Sequence, residues 1–90
     1  MIVKKFKIVS QTGLHARPAT QLVSEADKYK SKITLIYDNL EIDFKSIIGV
    51  LSLGIYMGVS VEFIFDGVDE KEAYLAIKDL MEKLEIGKEV

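Results

Sequence analysis

The stretch TGLHARP, residues Thr12–Pro18, contains three types of amino acid that occur nowhere else in the chain. His15 is the only histidine, Pro18 the only proline and Arg17 the only arginine, whereas there are eleven lysines among the 90 residues. The glycine in this stretch predicts a loop over Ser10–Leu14. Proline is tolerated in the first turn of a helix, where its missing N–H breaks no helical hydrogen bond. We therefore predict that a helix begins directly after His15, which lies at or next to the N-cap.

Hydrophobic patterns on both sides of this stretch extend the prediction. Residues Ile2–Val9 alternate between two faces, as in a β-strand with one face exposed to water. After His15, apolar residues recur every three or four positions, which predicts a helix over about Ala16–Lys28. The apolar stripe of this helix consists of Ala16, Ala19, Leu22, Val23 and Ala26.

Three further strands are predicted where apolar and polar residues alternate. These segments are Lys32–Tyr37, Leu40–Phe44 and Val59–Asp66. Between the first two lie Asp38 and Asn39, residues that tolerate the left-handed conformations of a tight turn. We therefore expect the first two of these strands to form a hairpin.

Two further helices complete the predicted secondary structure. Ser46 is a preferred N-cap residue and predicts a short helix that extends to about Leu53. Asp69 with Glu72 resembles a capping box at the start of the last helix, and Gly87 is a candidate stop signal after it. The predicted buried stripe of the last helix is Ala73, Ala76, Ile77, Leu80 and Leu84.

The predicted order is β-α-β-β-α-β-α, within a single domain that covers residues 1–90. A chain of this length forms one hydrophobic core. Because each strand alternates and leaves one face to water, we expect a four-stranded antiparallel sheet covered on one face by three helices. This is an open-faced β-sandwich of the α+β class.

The composition argues against several classes of protein. A formal net charge of −2 and a pI near 5.3 argue against nucleic acid or anionic lipid as the main partner, since both require a basic surface. Without cysteine, there is neither a disulfide nor a thiolate metal site. The first residues do not resemble a signal peptide, and no segment approaches the roughly 20 apolar residues that span a bilayer. We expect a cytoplasmic protein without membrane insertion.

His15 lacks the neighbours that a metal site or a hydrolase needs. A zinc site requires three or four converging ligands, and one histidine with scattered carboxylates does not supply them. A Ser-His-Asp hydrolase needs a nucleophilic serine on a sharp turn, and the chain has no Gly-x-Ser-x-Gly motif. We expect no metal and no cofactor. The simplest alternative is a histidine that only caps the helix.

The neighbours of His15 favour phosphoryl chemistry over simple capping. Free N–H groups at a helix start, the positive end of the helix dipole and a guanidinium together form a site for a dianion. A neutral imidazole can attack phosphorus and become a phosphohistidine. The phosphate-binding groups would be the amides of Ala16 and Arg17 and the Arg17 side chain. Because the P–N bond stays labile, the sequence favours transient storage of a phosphoryl group.

A carrier needs an exposed surface for the proteins that donate and accept its phosphoryl group. Ile47, Ile48 and Leu51 crowd a helix that is too short to bury all of them, which predicts an apolar docking patch. Ser46 is either a plain N-cap or a regulatory site. A phosphate at an N-cap is stabilised by the dipole and adds about −1.5 to −2 charge beside the patch.

Two stretches resemble the HPr family of histidine-containing phosphocarriers of the bacterial phosphoenolpyruvate:sugar phosphotransferase system. They are Thr12–Ala19, TGLHARPA, and Lys45–Gly54, KSIIGVLSLG, and the similarity extends over nearly the whole chain. Ile48 and Leu51 stand where methionines are common in the family. Tyr56-Met57 is more apolar than the family leads us to expect, which we interpret as an additional contact surface or a dimer contact.

The resemblance implies a phosphoryl carrier rather than an enzyme. By this resemblance, enzyme I phosphorylates His15 on the pros nitrogen, and Arg17 assists transfer to sugar-specific enzyme II A domains. Ser46 matches the site of an HPr kinase/phosphorylase, whose product assists a catabolite-control repressor in carbon catabolite repression. The expected docking residues are Thr20, Ile47, Ile48 and Leu51.

Two related functions remain open at the level of sequence. A Crh-like regulatory adaptor acts only through phospho-Ser46, and family members specialised in that way lack the active histidine. The presence of His15 therefore argues against this adaptor function. A nitrogen-branch phosphocarrier would be distinguished by which enzyme I donates to it faster.

Overall fold

A computed structural model describes all residues, 1–90, which form one β-sheet and three helices. The elements in chain order are β1 (Ile2–Ile8), α1 (Ala16–Ala26), β2 (Lys32–Tyr37), β3 (Leu40–Asp43), α2 (Ile47–Ser52), β4 (Ser60–Asp66), α3 (Glu70–Lys83) and β5 (Gly87–Glu89). All strand pairs are antiparallel, and the sheet has the order β3-β2-β4-β1-β5. The helices cover one face of this sheet, which confirms the predicted α+β open-faced sandwich.

The core lies between the sheet and the helices and is centred on one aromatic side chain. The ring of Phe63, on β4, lies 5.4 Å from that of Phe6 and 4.8 Å from that of Phe44, both edge-on. Phe65 stacks on the same ring at 5.9 Å between centroids. Because β4 occupies the middle of the sheet, its inward residues contact both neighbouring strands and hold the helix layer in place.

The predicted number of strands, four, is wrong because the end of the chain forms a fifth strand. Gly87 pairs with Ile8 at the edge of the sheet, where a Cβ atom would lie 2.8 Å from Cε of Met81 and 3.0 Å from the carbonyl oxygen of Lys7. This close approach explains a glycine at the start of β5. The interpretation of Gly87 as the stop signal of the last helix is therefore wrong.

A cluster of polar side chains holds β5 against α3. Glu89 accepts a hydrogen bond from the Tyr74 hydroxyl and forms ion pairs with Lys4 at 3.6 Å and Lys78 at 3.8 Å. The hydrogen bond to Glu89, followed by desolvation, raises the pKa of Tyr74 to about 12. A three-residue strand without hydrophobic alternation is stabilised by these contacts, which the sequence pattern does not reveal.

The remaining boundaries agree with the prediction to within one or two residues. Helix α1 ends at Ala26 rather than Lys28: Asp27 is its C-cap, and the amide of Lys28 bonds to the carbonyl oxygen of Glu25, three residues back instead of four. In the β2–β3 hairpin, Asp38 and Asn39 have φ values of 53° and 66°, as a type I′ turn requires. The predicted hairpin is confirmed.

The interior of α3 differs from its predicted stripe. Its buried residues are Ala73, Ile77 and Met81, whereas Ala76, Leu80 and Leu84 are only partly buried. The helix ends at Lys83, and Glu85, with φ of 56°, takes the left-handed conformation that closes it. The predicted stripe contains Ala73 and Ile77 but continues along the neighbouring row of Leu80 and Leu84, and therefore omits Met81.

The predicted capping box at the start of α3 is wrong. Asp69 occupies the N-cap position, but its side chain makes no capping hydrogen bond. Its carboxylate instead accepts hydrogen bonds from the amides of Lys30 and Ser31, both at 2.9 Å, and from the Ser31 hydroxyl. Glu70, rather than Glu72, bonds back to the chain, through the amide of Gly67 at 3.1 Å. Asp69 therefore ties α3 to the start of β2.

We expect this tie to make the stability of the protein depend on acid pH. The hydrogen bonds from Ser31 and Lys30 lower the pKa of Asp69 from 3.8 to about 2. A carboxyl group with a lowered pKa in the folded state stabilises that state above its unfolded pKa, and the effect is lost as the pH falls through the folded value. The melting temperature should therefore fall between about pH 4 and about pH 2, as measured by circular dichroism.

Asp69→Asn should remove this component of the pH dependence. The variant should melt well below the original chain at neutral pH, and the difference should shrink as the pH approaches 2. Asp79→Asn, which removes an exposed carboxylate from the same helix, is the matched control and should leave the profile unchanged. Equal pH profiles for the original chain and Asp69→Asn would contradict the prediction.

Candidate functional site

His15 occupies the N-cap position of α1 and leaves its side chain free. Its backbone is extended, with φ of −96° and ψ of −177°, and its carbonyl oxygen accepts the first helical hydrogen bond from the amide of Ala19 at 3.0 Å. The imidazole makes no capping hydrogen bond and is exposed. The residue therefore caps the helix with its backbone alone, and its exposed imidazole forms no hydrogen bond within the chain.

The loop before His15 is held against the segment that precedes β4. Gly13 has φ of +67°, and a Cβ atom there would overlap the carbonyl oxygen of Ile55 and lie 2.8 Å from Cα of Tyr56. The amide of Leu14 donates to that same carbonyl at 3.1 Å, and the Leu14 side chain is buried. With Pro18 also buried on the other side, the exposed histidine lies between two anchored residues.

A shallow depression on the surface brings the predicted phosphoryl site together. Its lining residues are His15, Ala16, Arg17, Thr20 and Gln21. The amides of Ala16 and Arg17 belong to the first turn, which leaves them without helical partners, and Pro18 contributes no N–H there. The Arg17 side chain is exposed and forms no ion pair within the chain. Two amides and a guanidinium are thus available to an anion on His15.

The hydroxyl of Thr20 is turned towards its own helix. Its Oγ1 donates to the carbonyl oxygen of Ala16 at 2.7 Å, so that its methyl group remains to contact a partner. Gln21 also lines the depression and was not singled out from the sequence. Its position four residues after Arg17, on the same helical face, is the signal that could have identified it.

Ser46 lies at the N-cap of α2 and forms the capping bond expected of it. Its Oγ accepts a hydrogen bond from the amide of Gly49 at 3.1 Å, and its own amide donates to the carbonyl oxygen of Asp43 at 3.0 Å. The residue is exposed. Its hydroxyl therefore stabilises α2 while remaining accessible to a modifying enzyme.

The apolar residues of α2 divide between the core and the surface. Val50 is buried and Ile47 is partly buried against the core. Ile48 is 81% exposed and Leu51 is 39% exposed, so both can meet a partner. Helix α2 contacts α1, which carries the depression at its start.

The segment that anchors Gly13 also exposes two large side chains. Tyr56 is 62% exposed and Met57 51% exposed, directly after the buried Ile55. The contact between the backbones of Gly13 and Tyr56 places this pair beside the loop that carries His15. The sequence identifies Tyr56 and Met57 as unusually apolar, whereas their proximity to the site is defined by the tertiary structure.

The structure shows no group of three or more side chains arranged to bind a metal ion. None of the helices has the length and the apolar surface required to cross a membrane.

The sequence matches the family model PTS-HPr, described as the PTS HPr component phosphorylation site, over residues 2–83. The chain belongs to the HPr family. The resemblance seen in the sequence is thereby confirmed, and the family supports a phosphocarrier role within the phosphotransferase system.

Solved structures of HPr proteins are similar to this chain over most of its length. The histidine-containing phosphocarrier protein of Mycoplasma has 35% identity and a TM-score of 0.92, and the match covers 94% of this chain and 97% of that one. HPr-C-His from Thermoanaerobacter tengcongensis has 42% identity and a TM-score of 0.87, with 92% and 93% covered. Crh of Bacillus subtilis, described as a swapped dimer, has 35% identity and a TM-score of 0.72, with 86% and 88% covered.

Proposed function

We propose that this HPr-family chain is a cytoplasmic phosphoryl carrier that uses His15 to receive a phosphoryl group from phospho-enzyme I. The observation that carries the proposal is the free imidazole at the start of α1, which shares a depression with the unpaired Arg17. The pros nitrogen, Nδ1, attacks phosphorus, and the bond between phosphorus and the donor breaks as the P–N bond forms. In the transfer to an enzyme II A domain, the P–N bond to His15 breaks as phosphorus forms a bond to the acceptor group of that domain.

The residues around His15 stabilise the phosphoryl group without catalysing the reaction alone. The dianion lies where the amides of Ala16 and Arg17 and the positive end of α1 can compensate its charge. The Arg17 guanidinium adds charge-assisted hydrogen bonds. Because the site is an open depression, the donor and acceptor proteins supply the rest of each reaction centre. This is why we assign a carrier role rather than an enzymatic one.

The docking surface in this proposal adjoins the phosphoryl site. It combines the exposed Ile48 and Leu51 with the partly buried Ile47 on α2 and with Thr20 on α1. Helices α1 and α2 contact each other, so a partner that covers one is positioned to reach the other. A few well-packed residues near the centre of a protein interface carry most of its binding energy.

Incubation with phosphoenolpyruvate and enzyme I tests the phosphoryl-carrier proposal directly. We expect the intact mass to increase by one phosphoryl group per chain. The label should be lost in acid and retained in alkali, as for a phosphoramidate, and peptide mapping should place it on the peptide that contains His15. Subsequent addition of an enzyme II A domain should remove it. The absence of label, or an acid-stable label, would contradict the proposal.

We further propose that Ser46 is a regulatory phosphorylation site for an HPr kinase/phosphorylase, whose product binds a catabolite-control repressor. The exposed hydroxyl at the start of α2 and the adjacent Ile47 and Ile48 support this role, because a phosphate there adds negative charge to the docking surface. With ATP and the kinase, we expect one acid-stable phosphate, which Ser46→Ala abolishes.

Ser52→Ala provides the matched control, since Ser52 is an exposed serine on the same helix. This variant should be phosphorylated as well as the original chain, and an equal loss of phosphate in both variants would contradict the assignment. A chain that accepts phosphate only on Ser46 would be a Crh-like adaptor. A nitrogen-branch carrier would instead accept phosphoryl groups faster from the nitrogen-branch enzyme I than from the sugar-branch one.

A further inference from the structure

The loop that carries His15 is fixed at its root by a carbonyl oxygen from the segment that follows α3. The amides of Val9 and Ser10 both donate to the carbonyl oxygen of Ile86, at 2.8 Å and 3.2 Å. The carbonyl oxygen of Ser10 in turn accepts a hydrogen bond from the amide of Gly13 at 3.0 Å, two residues before His15. A continuous series of backbone hydrogen bonds therefore links Ile86 to the residues directly before the imidazole.

A depression separates the side chains of this loop from the end of α3. One side of it is formed by the loop residues 9–12, and the other by Glu82, Leu84, Glu85, Gly87 and Lys88. The side chains of Gln11 and Thr12 are exposed, and the side-chain hydrogen bond of the loop, between Ser10 and Thr12 at 3.1 Å, stays within it. The bonds to the Ile86 carbonyl are thus the hydrogen bonds that join the loop to the segment after α3.

The position of the Ile86 carbonyl depends on the turn that ends α3. Glu85 takes the left-handed conformation, with φ of 56°, and the amide of Ile86 bonds back to the carbonyl oxygen of Met81 at 2.9 Å. A bond between these two positions defines a Schellman motif. The Ile86 side chain is 4% exposed and belongs to the core. The turn therefore buries the side chain of Ile86, while its carbonyl group meets the loop.

Strand β5 holds the same residue from its other side. Gly87, which follows Ile86, pairs with Ile8 at the end of β1. The polar contacts of Glu89, including the hydrogen bond from Tyr74, fix the strand to α3. The strand lies after residues 2–83, over which the chain matches the HPr family. The family match therefore gives no role to β5.

We infer that Ile86 and β5 position the His15 loop for phosphoryl transfer, an inference that rests on the proposed function of His15. Two carbonyl oxygens hold the loop, that of Ile86 at its root and that of Ile55, to which the amide of Leu14 donates at 3.1 Å. Phosphoryl transfer needs a nucleophile within about 3–3.5 Å of the atom that it attacks, in a defined orientation. Ile86 is a positioning residue, because it acts on the imidazole only through the loop.

Gly87→Val tests this role, because it displaces β5 without changing the loop or the docking surface. Even a single Cβ atom at this position would lie 3.0 Å from the carbonyl oxygen of Lys7 and 2.8 Å from Cε of Met81, and valine adds two more carbons. We expect faster hydrogen exchange at the amides of Val9 and Ser10, since exchange requires their hydrogen bonds to open.

The kinetic measurement is phosphorylation by enzyme I at varied concentrations of the protein. A misplacement of about 1 Å can lower a rate about 100-fold, so a smaller shift passed along the loop predicts a kcat about threefold to tenfold lower in Gly87→Val. KM should stay unchanged, because the proposed docking surface on α1 and α2 is unaltered. Partial unfolding would instead raise the apparent KM, since less folded protein is present. The final extent of labelling should not change, because His15 remains.

Glu89→Ala weakens β5 without adding an overlap. It removes the acceptor of the Tyr74 hydroxyl and the ion pairs with Lys4 and Lys78. We expect kcat to fall in this variant too, by a smaller factor, with an unchanged KM. Glu89→Gln retains an oxygen that can accept the hydrogen bond from Tyr74, and it should recover most of the rate.

Asp69→Asn is the matched control for a loss of stability. Its carboxylate ties the start of α3 to residues 30 and 31, whereas the His15 loop adjoins the other end of this helix. The control should be less stable than the original chain and have the original kcat.

The positioning role is contradicted by an unchanged kcat in Gly87→Val or by an equal fall of kcat in Asp69→Asn. If Gly87→Val does not fold, Glu89→Ala decides by the same criterion. An original chain that accepts no phosphoryl group contradicts the proposed function itself, and the positioning role with it.

Discussion

His15→Ala is expected to abolish phosphoryl transfer from enzyme I while leaving the fold intact. The imidazole is exposed, makes no capping hydrogen bond, and serves the helix only through its backbone carbonyl, which alanine retains. No other side chain of the chain has an imidazole nitrogen that could accept the group. The measurement is the intact mass after incubation with phosphoenolpyruvate and enzyme I, alongside the melting temperature.

Two further variants test whether the loss of labelling is specific to the imidazole of His15. His15→Gln retains a side chain of similar length but no nucleophilic ring, so it should also remain unlabelled. Ser46→Ala retains the imidazole and should be labelled to the same extent as the original chain, since the assigned acceptor is unchanged. Full labelling of His15→Ala, or loss of labelling in Ser46→Ala alone, would contradict the assignment of His15 as the acceptor.

Gly13→Ala should strongly destabilise the protein, because the added methyl group meets both an unfavourable backbone conformation and close backbone contacts. The left-handed backbone, with φ of +67°, costs a non-glycine residue about 1–2 kcal/mol. The added Cβ also overlaps the carbonyl oxygen of Ile55 and approaches Cα of Tyr56, and relief of such overpacking costs about 1–3 kcal/mol. We expect a total loss of about 2–5 kcal/mol in the free energy of unfolding, measured by urea denaturation.

Gly54→Ala separates the two contributions. Gly54 has a similar φ of +61°, but no atom lies within 4 Å of the position that its Cβ would take. This variant should lose only the backbone contribution of about 1–2 kcal/mol. Equal destabilisation of the two variants would show that the contact with Ile55 and Tyr56 does not hold the loop.

The displaced loop in Gly13→Ala should also slow the proposed phosphoryl transfer. His15 follows Gly13 by two residues, and moving the loop changes where the imidazole lies relative to Arg17. We expect a lower rate with an unchanged final extent of labelling, because the nucleophile itself remains. Gly54→Ala should be labelled at the original rate.

Local signals in the sequence were sufficient for most of the secondary structure. Alternation identified β1, β2, β3 and β4 because each has one face in the core and one in water. The N-cap at Ser46 and the turn at Asp38-Asn39 depend on neighbouring residues alone. The short β5 lacks this alternation, and its place beside β1 depends on residues far away in the chain, including Tyr74.

Asp69 shows why a local motif can be overridden. Its spacing to Glu72 fits a capping box, but two amides and a hydroxyl from residues 30 and 31 converge on its carboxylate. These groups come from about 38 residues earlier in the chain. A pattern that considers only neighbouring residues cannot include such competing donors.

By itself, the sequence determined the order of the elements up to α3, the position of His15 at a helix start and the family resemblance, because these depend on residue type and local spacing. Only the tertiary structure decided that the His15 loop rests on the Ile55–Tyr56 backbone and that Gln21 joins the depression. It also brought the carbonyl group of Ile86 to the root of the same loop. These features depend on strand order and on distances between remote segments, which become defined only when the core packs.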